Sequence, residues 1–428
     1  MTKPLRVVVN ARLRDGASGG VQQWVIGLAA ALSKLDADTE EYLFLVDPSH
    51  AQWLEPYLGR RCRMLVRRRP PLLRRIARRA RRPARGIRRS LVTAISRRRD
   101  ASVSPAVVAL KPSVPRSDGT IEKARADVVH FPFQEAFLTA VPSIFQPWDL
   151  QHLHLPEFFT TSQWEGRELT YRAFCQQSTL VVAPSRWVRQ DLIDQYGLAP
   201  DRIAVVNVPP ATAAYADPTP QEMQSIAQRL ELPDRFIYYP AQAWPHKNHN
   251  RLLEALGQLR TQGLTVPLVC TGRLNQRHEE LVRLADGLGL AQDVRFLGYL
   301  EPTDIQVLYR RATALVFPSL YEGWGLPIVE AFSSGLPVAC SNVTSLPELV
   351  NDAALVFDPY DPEDIAAAIR RLWTDDVLAA ELSERGREAV GRYDWRQTAL
   401  IMRAHYRRVA GLPLGAVDAA LCARTALV

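Results

Sequence analysis

No apolar run in this sequence reaches the roughly 18 residues that a helix needs to cross a bilayer. The sequence therefore predicts no membrane span, and any membrane contact is expected to be peripheral. The start, Met1-Thr-Lys-Pro-Leu-Arg-Val-Val-Val-Asn10, holds too short an apolar stretch to read as a signal peptide. Cysteine is scarce. Cys62, Cys175, Cys270, Cys340 and Cys422 lie far apart, which excludes the close spacings of zinc and redox motifs. Cys270 and Cys340 fall in apolar runs, where cysteine behaves as a small hydrophobe. The expectation is a reduced, cytoplasmic protein. After the first predicted strand there is no GxGxxG, nor an acidic residue placed to read a dinucleotide ribose, so a nicotinamide cofactor is not expected.

Acidic residues are missing from one long segment. Arg60 to Arg99 contains 18 arginines and no Asp or Glu in a chain of net charge +8, so the rest of the chain is net acidic. Leu72, Ile76, Ala80, Ala84, Ile87, Leu91 and Ile95 recur there at steps of three or four. That spacing predicts a basic amphipathic helix broken at Pro83. Such a helix can lie on an anionic membrane, each basic residue near the surface contributing about 1 kcal/mol. A solvated helix covering a sheet is one competing reading, and phosphate contacts to RNA are another. Aromatics are also missing from the segment, which removes the groups that stack bases. An anionic membrane surface, the inner face of the plasma membrane, is the expected partner of residues 60–99, and no nucleic acid is expected.

Elsewhere, short apolar runs alternate with helical patterns, the signature of parallel sheets covered on both faces. In the first half the runs are Leu5–Asn10, Tyr42–Val46, Val128–Phe131, Ser143–Phe145, Leu180–Ala183 and Ile203–Val208. Helical patterns include Val21–Leu32 and Gln163–Cys175, and Ser117–Asp127 reads as a mobile loop. A Pro/Ala/Thr-rich stretch, Pro209–Pro220, suits a linker. A second series follows: Phe236–Pro240, Leu268–Thr271, Val294–Leu297, Leu315–Phe317, Val338–Cys340 and Leu355–Phe357. Long amphipathic helices close the chain over Asp376–Ala410. The prediction is two doubly wound α/β domains, each presenting the C-terminal ends of its strands to ligand. Residues 1–212 would form the first and 213–393 the second, with 394–428 packing back on the first.

The most informative segment is Glu322-Gly-Trp-Gly-Leu-Pro-Ile-Val-Glu330. It follows the buried run Ala314–Ser319, turns through Gly323 and Gly325, and places Pro327 where a helix would begin. A helix over Leu326–Ser334 would aim its positive dipole end at the sheet mouth, an anion-binding geometry. Glu322 falls on the loop and Glu330 one turn into the helix. Acceptor-only carboxylates there suit the hydroxyls of a sugar and a ribose, although solvated surface glutamates would look the same. Asp15-Gly-Ala-Ser-Gly-Gly-Val21 puts Gly19 and Gly20 at the start of the first long helix, where backbone can approach a diphosphate or simply turn. Lys247, in Tyr239-Pro-Ala-Gln-Ala-Trp-Pro-His-Lys-Asn-His249, sits after a strand and can meet a phosphate, and Arg273 is a second candidate cation. Trp148-Asp-Leu-Gln-His-Leu-His154 brings Asp149, His152 and His154 to an expected cleft edge, to bond a substrate hydroxyl or to brace a polar loop. His130, ending its strand, reads similarly. None of these spacings defines a metal site, and Asp36-Ala-Asp38 falls in a helix-to-strand connection away from the ligand edge.

Together these residues resemble family 4 of the retaining glycosyltransferases, which have the two-domain GT-B fold. The resemblance runs from about Phe236 to Tyr393, with shorter pieces at Gly19-Gly20 and Val182-Ala-Pro-Ser-Arg-Trp-Val188. Its most specific part is Pro318-Ser-Leu-Tyr-Glu-Gly-Trp-Gly-Leu-Pro327, followed by Gly335-Leu-Pro-Val338, Ser345-Leu-Pro-Glu348 and Phe357-Asp-Pro359. The resemblance implies two Rossmann-like domains facing a cleft, with the final helices crossing back. It implies that Glu330 holds the ribose of a GDP- or UDP-linked sugar. Glu322, with the backbone of Gly323, Trp324, Gly325 and Leu326, would contact the donor sugar. Lys247 would meet the diphosphate, Gly19-Gly20 would cap it from the first domain, and the Phe296–Tyr299 backbone would lie near the base. Transfer would be metal-independent and retaining, to a glycan or lipid-linked acceptor in cell-surface polysaccharide or lipopolysaccharide synthesis.

Three departures stand out. Gln242 occupies a place where many members carry an arginine, leaving Arg273 as a possible substitute. Trp148-Asp149 replaces the common His-Asp, so the usual catalytic histidine has no counterpart and His152 becomes the expected stand-in beside Asp149 and Glu322. Trp324 replaces the commoner phenylalanine. The segments 149–157 and 245–249 are similar to those of a mannosyltransferase-like subgroup. A GT-B-fold sugar-nucleotide epimerase and a non-enzymatic membrane- or RNA-binding adaptor are the rival readings.

Overall fold

The computed structural model describes residues 3–14, 19–35, 39–67, 113–211 and 215–426. Thirteen strands among them form two all-parallel sheets. The first contains β1 (Leu5–Asn10), β2 (Glu40–Val46), β3 (Cys62–Val66), β4 (Val128–Phe131), β5 (Ser143–Phe145), β6 (Leu180–Ala183) and β7 (Ile203–Val205), in the order β3-β2-β1-β4-β5-β6-β7. The second contains β8 (Ile237–Pro240), β9 (Leu268–Thr271), β10 (Val294–Phe296), β11 (Ala314–Phe317), β12 (Val338–Ser341) and β13 (Leu355–Phe357), in the order β10-β9-β8-β11-β12-β13. Helices cover both faces. Central strands such as β4, β6, β11 and β12 are buried at every residue, which is why they read as unbroken apolar runs.

Strand order reverses between β1 and β4 in one sheet and between β8 and β11 in the other. The crevice beyond the strand ends at such a reversal is the natural ligand position of an open α/β sheet.

Two expectations are corrected here. The basic segment 60–99 does not begin as a helix, because Cys62–Val66 pairs in parallel with Tyr42–Val46 as an edge strand. Residues 68–99, which carry the predicted amphipathic helix, lie outside the described residues, as do Asp36 and Asp38. Ser117–Asp127 is not a loose loop: Thr120–Lys123 is helical with Ile121 buried, and Asp127 accepts the Arg6 backbone N–H at 2.8 Å. The helices expected over Asp376–Ala410 are Asp376–Val390 and Trp395–Val409. The second starts at Asp394, whose carboxylate accepts the Gln397 N–H at 2.8 Å.

The helix Trp395–Val409 packs on the helix Gly19–Ser33 of the first domain, with Trp395 and Trp24 ring centroids 5.5 Å apart. Tyr406 Oη meets His130 Nδ1 at 2.9 Å. Arg407 bridges Glu40 on β2 and Asp418 on the last helix, Ala416–Ala426. Those two carboxylates are almost wholly buried, at 1% and 4% side-chain exposure. Arg407→Ala would leave Glu40 without its cation and Asp418 with only Arg403, 3.8 Å away; breaking a buried pair costs about 3–5 kcal/mol. Its thermal denaturation midpoint should fall by several degrees, and an unchanged midpoint would show that the bridge does not hold the C-terminal helices.

Candidate functional site

The loops beyond the strand ends of both sheets enclose a cavity of about 1210 Å³. From the first domain come Arg12 and Gly19–Gln23 after β1, Asp47–His50 after β2, Phe133–Glu135 after β4, and Trp148 and Asp149 after β5. From the second come Gln242, Trp244 and Lys247 after β8, Arg273 after β9, Tyr299 after β10, and Glu322–Pro327 with Glu330 after β11. The cavity thus sits where the strand-order reversals of the two sheets face each other.

Two helix starts converge in it. The helix Leu326–Ser333 begins at Gly325, whose φ of +111° is open to glycine and strained for other residues. A Cβ there would also lie 2.8 Å from Leu346 Cδ2. No side chain caps this helix among the described residues, and its first turn holds no acidic residue. The helix Gly19–Ser33 likewise has no acid in its first turn, and the Cβ position of Gly20 is 3.4 Å from Leu326 Cδ2. Two positive dipole ends therefore meet across the cleft with no protein anion compensating them from their first turns, which favours a bound anion between them.

Lys247 adds a third positive element. It ends the short 3-10 turn Pro245–Lys247, and its ammonium forms an ion pair with Glu322 in which both side chains are mostly buried. Glu322 is held in turn by its backbone: Thr344 Oγ1 accepts its N–H at 3.1 Å, and its carbonyl accepts from Ser345 Oγ at 3.0 Å. Arg273 lies on the cavity wall over the Tyr299 ring, 5.9 Å from its centroid.

Glu330 is partly buried and accepts a hydrogen bond from Tyr309 Oη at 2.6 Å. Burial pushes its carboxyl from 4.5 up to about 7, against the opposing pull of that hydrogen bond. Tyr309, on the helix Pro302–Arg311, had no signature in the sequence because its partner lies on another helix.

The first domain meets the Glu322–Gly325 loop directly. Trp148 adopts φ +74°, and its carbonyl oxygen occupies the space a Cβ on Gly323 would need, only 2.2 Å from that position. Ser185 Oγ donates to the Gly323 carbonyl at 2.9 Å, while capping its own helix, Arg186–Tyr196, by accepting the Val188 N–H at 3.1 Å. Glu348 reaches the same helix start from the other side, accepting the Arg186 and Trp187 N–H groups at 3.0 and 3.1 Å. The short segments around Ser185 and Ser345–Glu348, far apart in sequence, are thus two halves of one junction.

Asp149 lines the cavity, with its carboxylate accepting from Arg167 at 2.8 Å and from the Gln151 N–H at 3.0 Å. His152 is elsewhere. Its side chain is fully buried, packed on Tyr171, Phe159 and Trp164 and bonded to Glu168 at 3.2 Å. It does not line the cavity, because the short helix Gln151–His154 turns it into the first domain's core. His130 is equally buried, and His154 bonds Asp191 at 2.8 Å beside Tyr321. Trp324 is also redirected: its indole N–H donates to the Val208 carbonyl at 3.0 Å and its ring packs against Tyr393 at 5.3 Å. Among the described residues, no three His, Cys, Asp or Glu side chains group as a metal site.

Residues 221–389 match the family model for Glycosyl transferases group 1, and residues 96–208 match that for Glycosyltransferase Family 4. The backbone superposes on Anabaena Alr3699/HepE, crystallised with UDP and glucose, with a TM-score of 0.68 at 18% identity, covering 94% of this chain and 100% of that one. The chain is related to the GT-B-fold glycosyltransferases. An O-antigen chain mannosyltransferase B of Escherichia coli is 31% identical over 249 residues, 58% of this chain and 65% of that protein. A D-inositol 3-phosphate glycosyltransferase of Salinispora arenicola (strain CNS-205) is 32% identical over 235 residues, 51% and 52% of the two chains. The matches therefore span less than two thirds of either relative's length.

In this GT-B chain the titration of Glu330 should register as a pH dependence of stability. A carboxyl whose folded value is raised from 4.5 to about 7 binds more protons folded than unfolded, so its cost to the fold grows as pH rises through that window. The cost levels off above about pH 7, at no more than about 3 kcal/mol. Thermal denaturation of Glu330→Gln should therefore exceed wild type by a margin that widens from about pH 5 to about pH 8. A margin that does not change with pH would show that Glu330 titrates normally.

Proposed function

We propose that the chain transfers a hexosyl unit, with mannose favoured, from a GDP- or UDP-linked sugar to a hydroxyl of a glycan or lipid-linked acceptor. The observation that carries this reading is the meeting of two helix starts that hold no acidic residue in their first turns with Lys247 in one cavity. That constellation stabilises charge developing on a leaving diphosphate without reorganising. Glu330 receives the ribose hydroxyls, Glu322 and the Gly323–Leu326 backbone orient the sugar, and Arg273 stands near the base or diphosphate. The donor diphosphate takes over Lys247 from its ion pair with Glu322, which frees the carboxylate to accept from a sugar hydroxyl.

Transfer proceeds with retention and without a metal ion. The acceptor oxygen bonds to C1 on the face that the diphosphate leaves, the C1–O bond to phosphate breaks, and the departing phosphate oxygen takes the acceptor proton. This scheme needs no histidine base, in keeping with the burial of His152. Asp149, which lines the cavity and accepts from Arg167, orients the acceptor or the sugar in this reading. Mannose is favoured by segments 149–157 and 245–249 and by the O-antigen relative, which also supports a role in cell-surface polysaccharide synthesis. Neither an epimerase nor an adaptor gains a specific observation.

Glu330→Ala removes the acceptor that ribose hydroxyls would draw into its charged form on binding, and hydrogen bonds to charged groups contribute about 1.5–3 kcal/mol each. Turnover of the donor should drop by roughly 10- to 100-fold, measured after a thermal-shift panel of UDP, GDP, ADP and their sugars has identified the base. Near-wild-type turnover in that variant would sink the assignment.

The acceptor is brought to a membrane surface by residues 60–99, whose arginines are the source of the chain's positive charge. No helix among the described residues is long and apolar enough to cross a membrane. Replacing the arginines of 68–99 by glutamine should abolish co-sedimentation with vesicles containing anionic lipid and leave nucleotide-induced thermal shifts intact. Retained vesicle binding, or an equal loss of RNA binding, would overturn the membrane assignment.

A further inference from the structure

Trp244 lines the cavity with 52% of its surface exposed, an unusual state for an indole that could have been buried. The ring is held in place. Gln242 Oε1 accepts its Nε1–H at 3.1 Å, and the Gln242 carbonyl accepts the Trp244 backbone N–H at 2.7 Å. The Trp244 carbonyl in turn accepts the Lys247 N–H at 2.9 Å, so indole and ammonium ride on one turn. Gln242 is thereby accounted for: its amide orients an indole rather than facing a phosphate.

Size and position say what the indole meets. The cavity of about 1210 Å³ exceeds the roughly 300–1,000 Å³ of a single small-molecule site, leaving room for a second ligand beside the sugar nucleotide. The groups suited to the donor, Glu322, Glu330, Lys247 and the Gly325–Leu326 helix start, are buried or partly buried. Trp244 stands at the open rim. A fixed, half-exposed aromatic face beside a reaction cavity matches the apolar C–H face of a pyranose ring.

We propose that Trp244 is a sugar-stacking platform for the acceptor, holding a pyranose of a glycan chain at the cavity mouth while Gln242 sets the angle of the ring. This rests on the glycosyl-transfer reading and adds a subsite and a ligand class to it.

The test uses the full-length chain with excess UDP or GDP and three probes, mannotriose, maltotriose and chitotriose, followed by saturation-transfer NMR. At least one should bind wild type. Trp244→Ala should weaken that binding about tenfold, Trp244→Phe should largely preserve it, and Gln242→Leu should fall between them. Nucleotide-induced thermal shifts, read on the same samples, should stay at wild-type size in all three variants. The subsite is overturned if no probe binds wild type, or if Trp244→Ala binds the probe as well as wild type does. It is also overturned if Trp244→Ala loses the nucleotide shift, which would make the indole part of the nucleotide site. Absence of that shift in wild type is a separate result, and it would remove the glycosyl-transfer reading and the subsite together.

Discussion

The contact between Trp148 and Gly323 is the constraint on which the cavity depends. The Trp148 carbonyl occupies the volume that any side chain at position 323 would claim, so the domains can approach this closely only because residue 323 has none. Ser185 and Glu348 then fasten the same junction by hydrogen bonds to backbone groups. Backbone partners make such a junction insensitive to side-chain rotamers, which suits a joint that must reproduce one geometry. With the loop anchored there, the helix behind it has a single direction in which to point.

That direction explains the electrostatics. Both helix starts lack acidic residues in their first turns, and Lys247, a cation of the same cavity, is engaged with Glu322. The site is thus electropositive in its backbone, while Lys247 and Glu322 offset each other's charge. In the proposed reaction an incoming diphosphate would meet dipoles that are already aligned and would exchange one carboxylate for phosphate at Lys247. Glu330 stands one turn further in, where burial raises its carboxyl toward neutrality, so the cost of desolvating it is met before any ligand arrives.

The tryptophans show the same economy at the hinge. Trp324 and Trp395 donate their indole N–H groups to the carbonyls of Val208 and Pro210, the stretch that leaves β7 for the second domain. A phenylalanine at 324 would fill the pocket and leave the Val208 carbonyl without that donor. The linker composition was legible as a linker; its anchoring was not, because both donors come from more than a hundred residues away.

How much could be read without coordinates follows from the range of the interactions. The strands of both domains, the helix after Gly325 and the clustering of Glu322, Glu330 and Lys247 near strand ends were legible, since apolar runs and turn chemistry are local. Cys62–Val66 was hidden inside an arginine-rich stretch, where charge masked a short apolar pairing with β2. His152 was misplaced because the direction of a side chain on a one-turn helix is set by what packs beneath it, here Tyr171 and Trp164. The sequence by itself determined two parallel α/β units and the chemistry carried by the loops beyond their strands. Only the tertiary structure decided that those loops face one another across a single cavity, that Ser185 and Glu348 join them, and that Trp244 remains exposed at its mouth. The physical reason is that strand and turn preferences act over a few residues, whereas domain docking is decided by contacts between segments that the sequence keeps far apart.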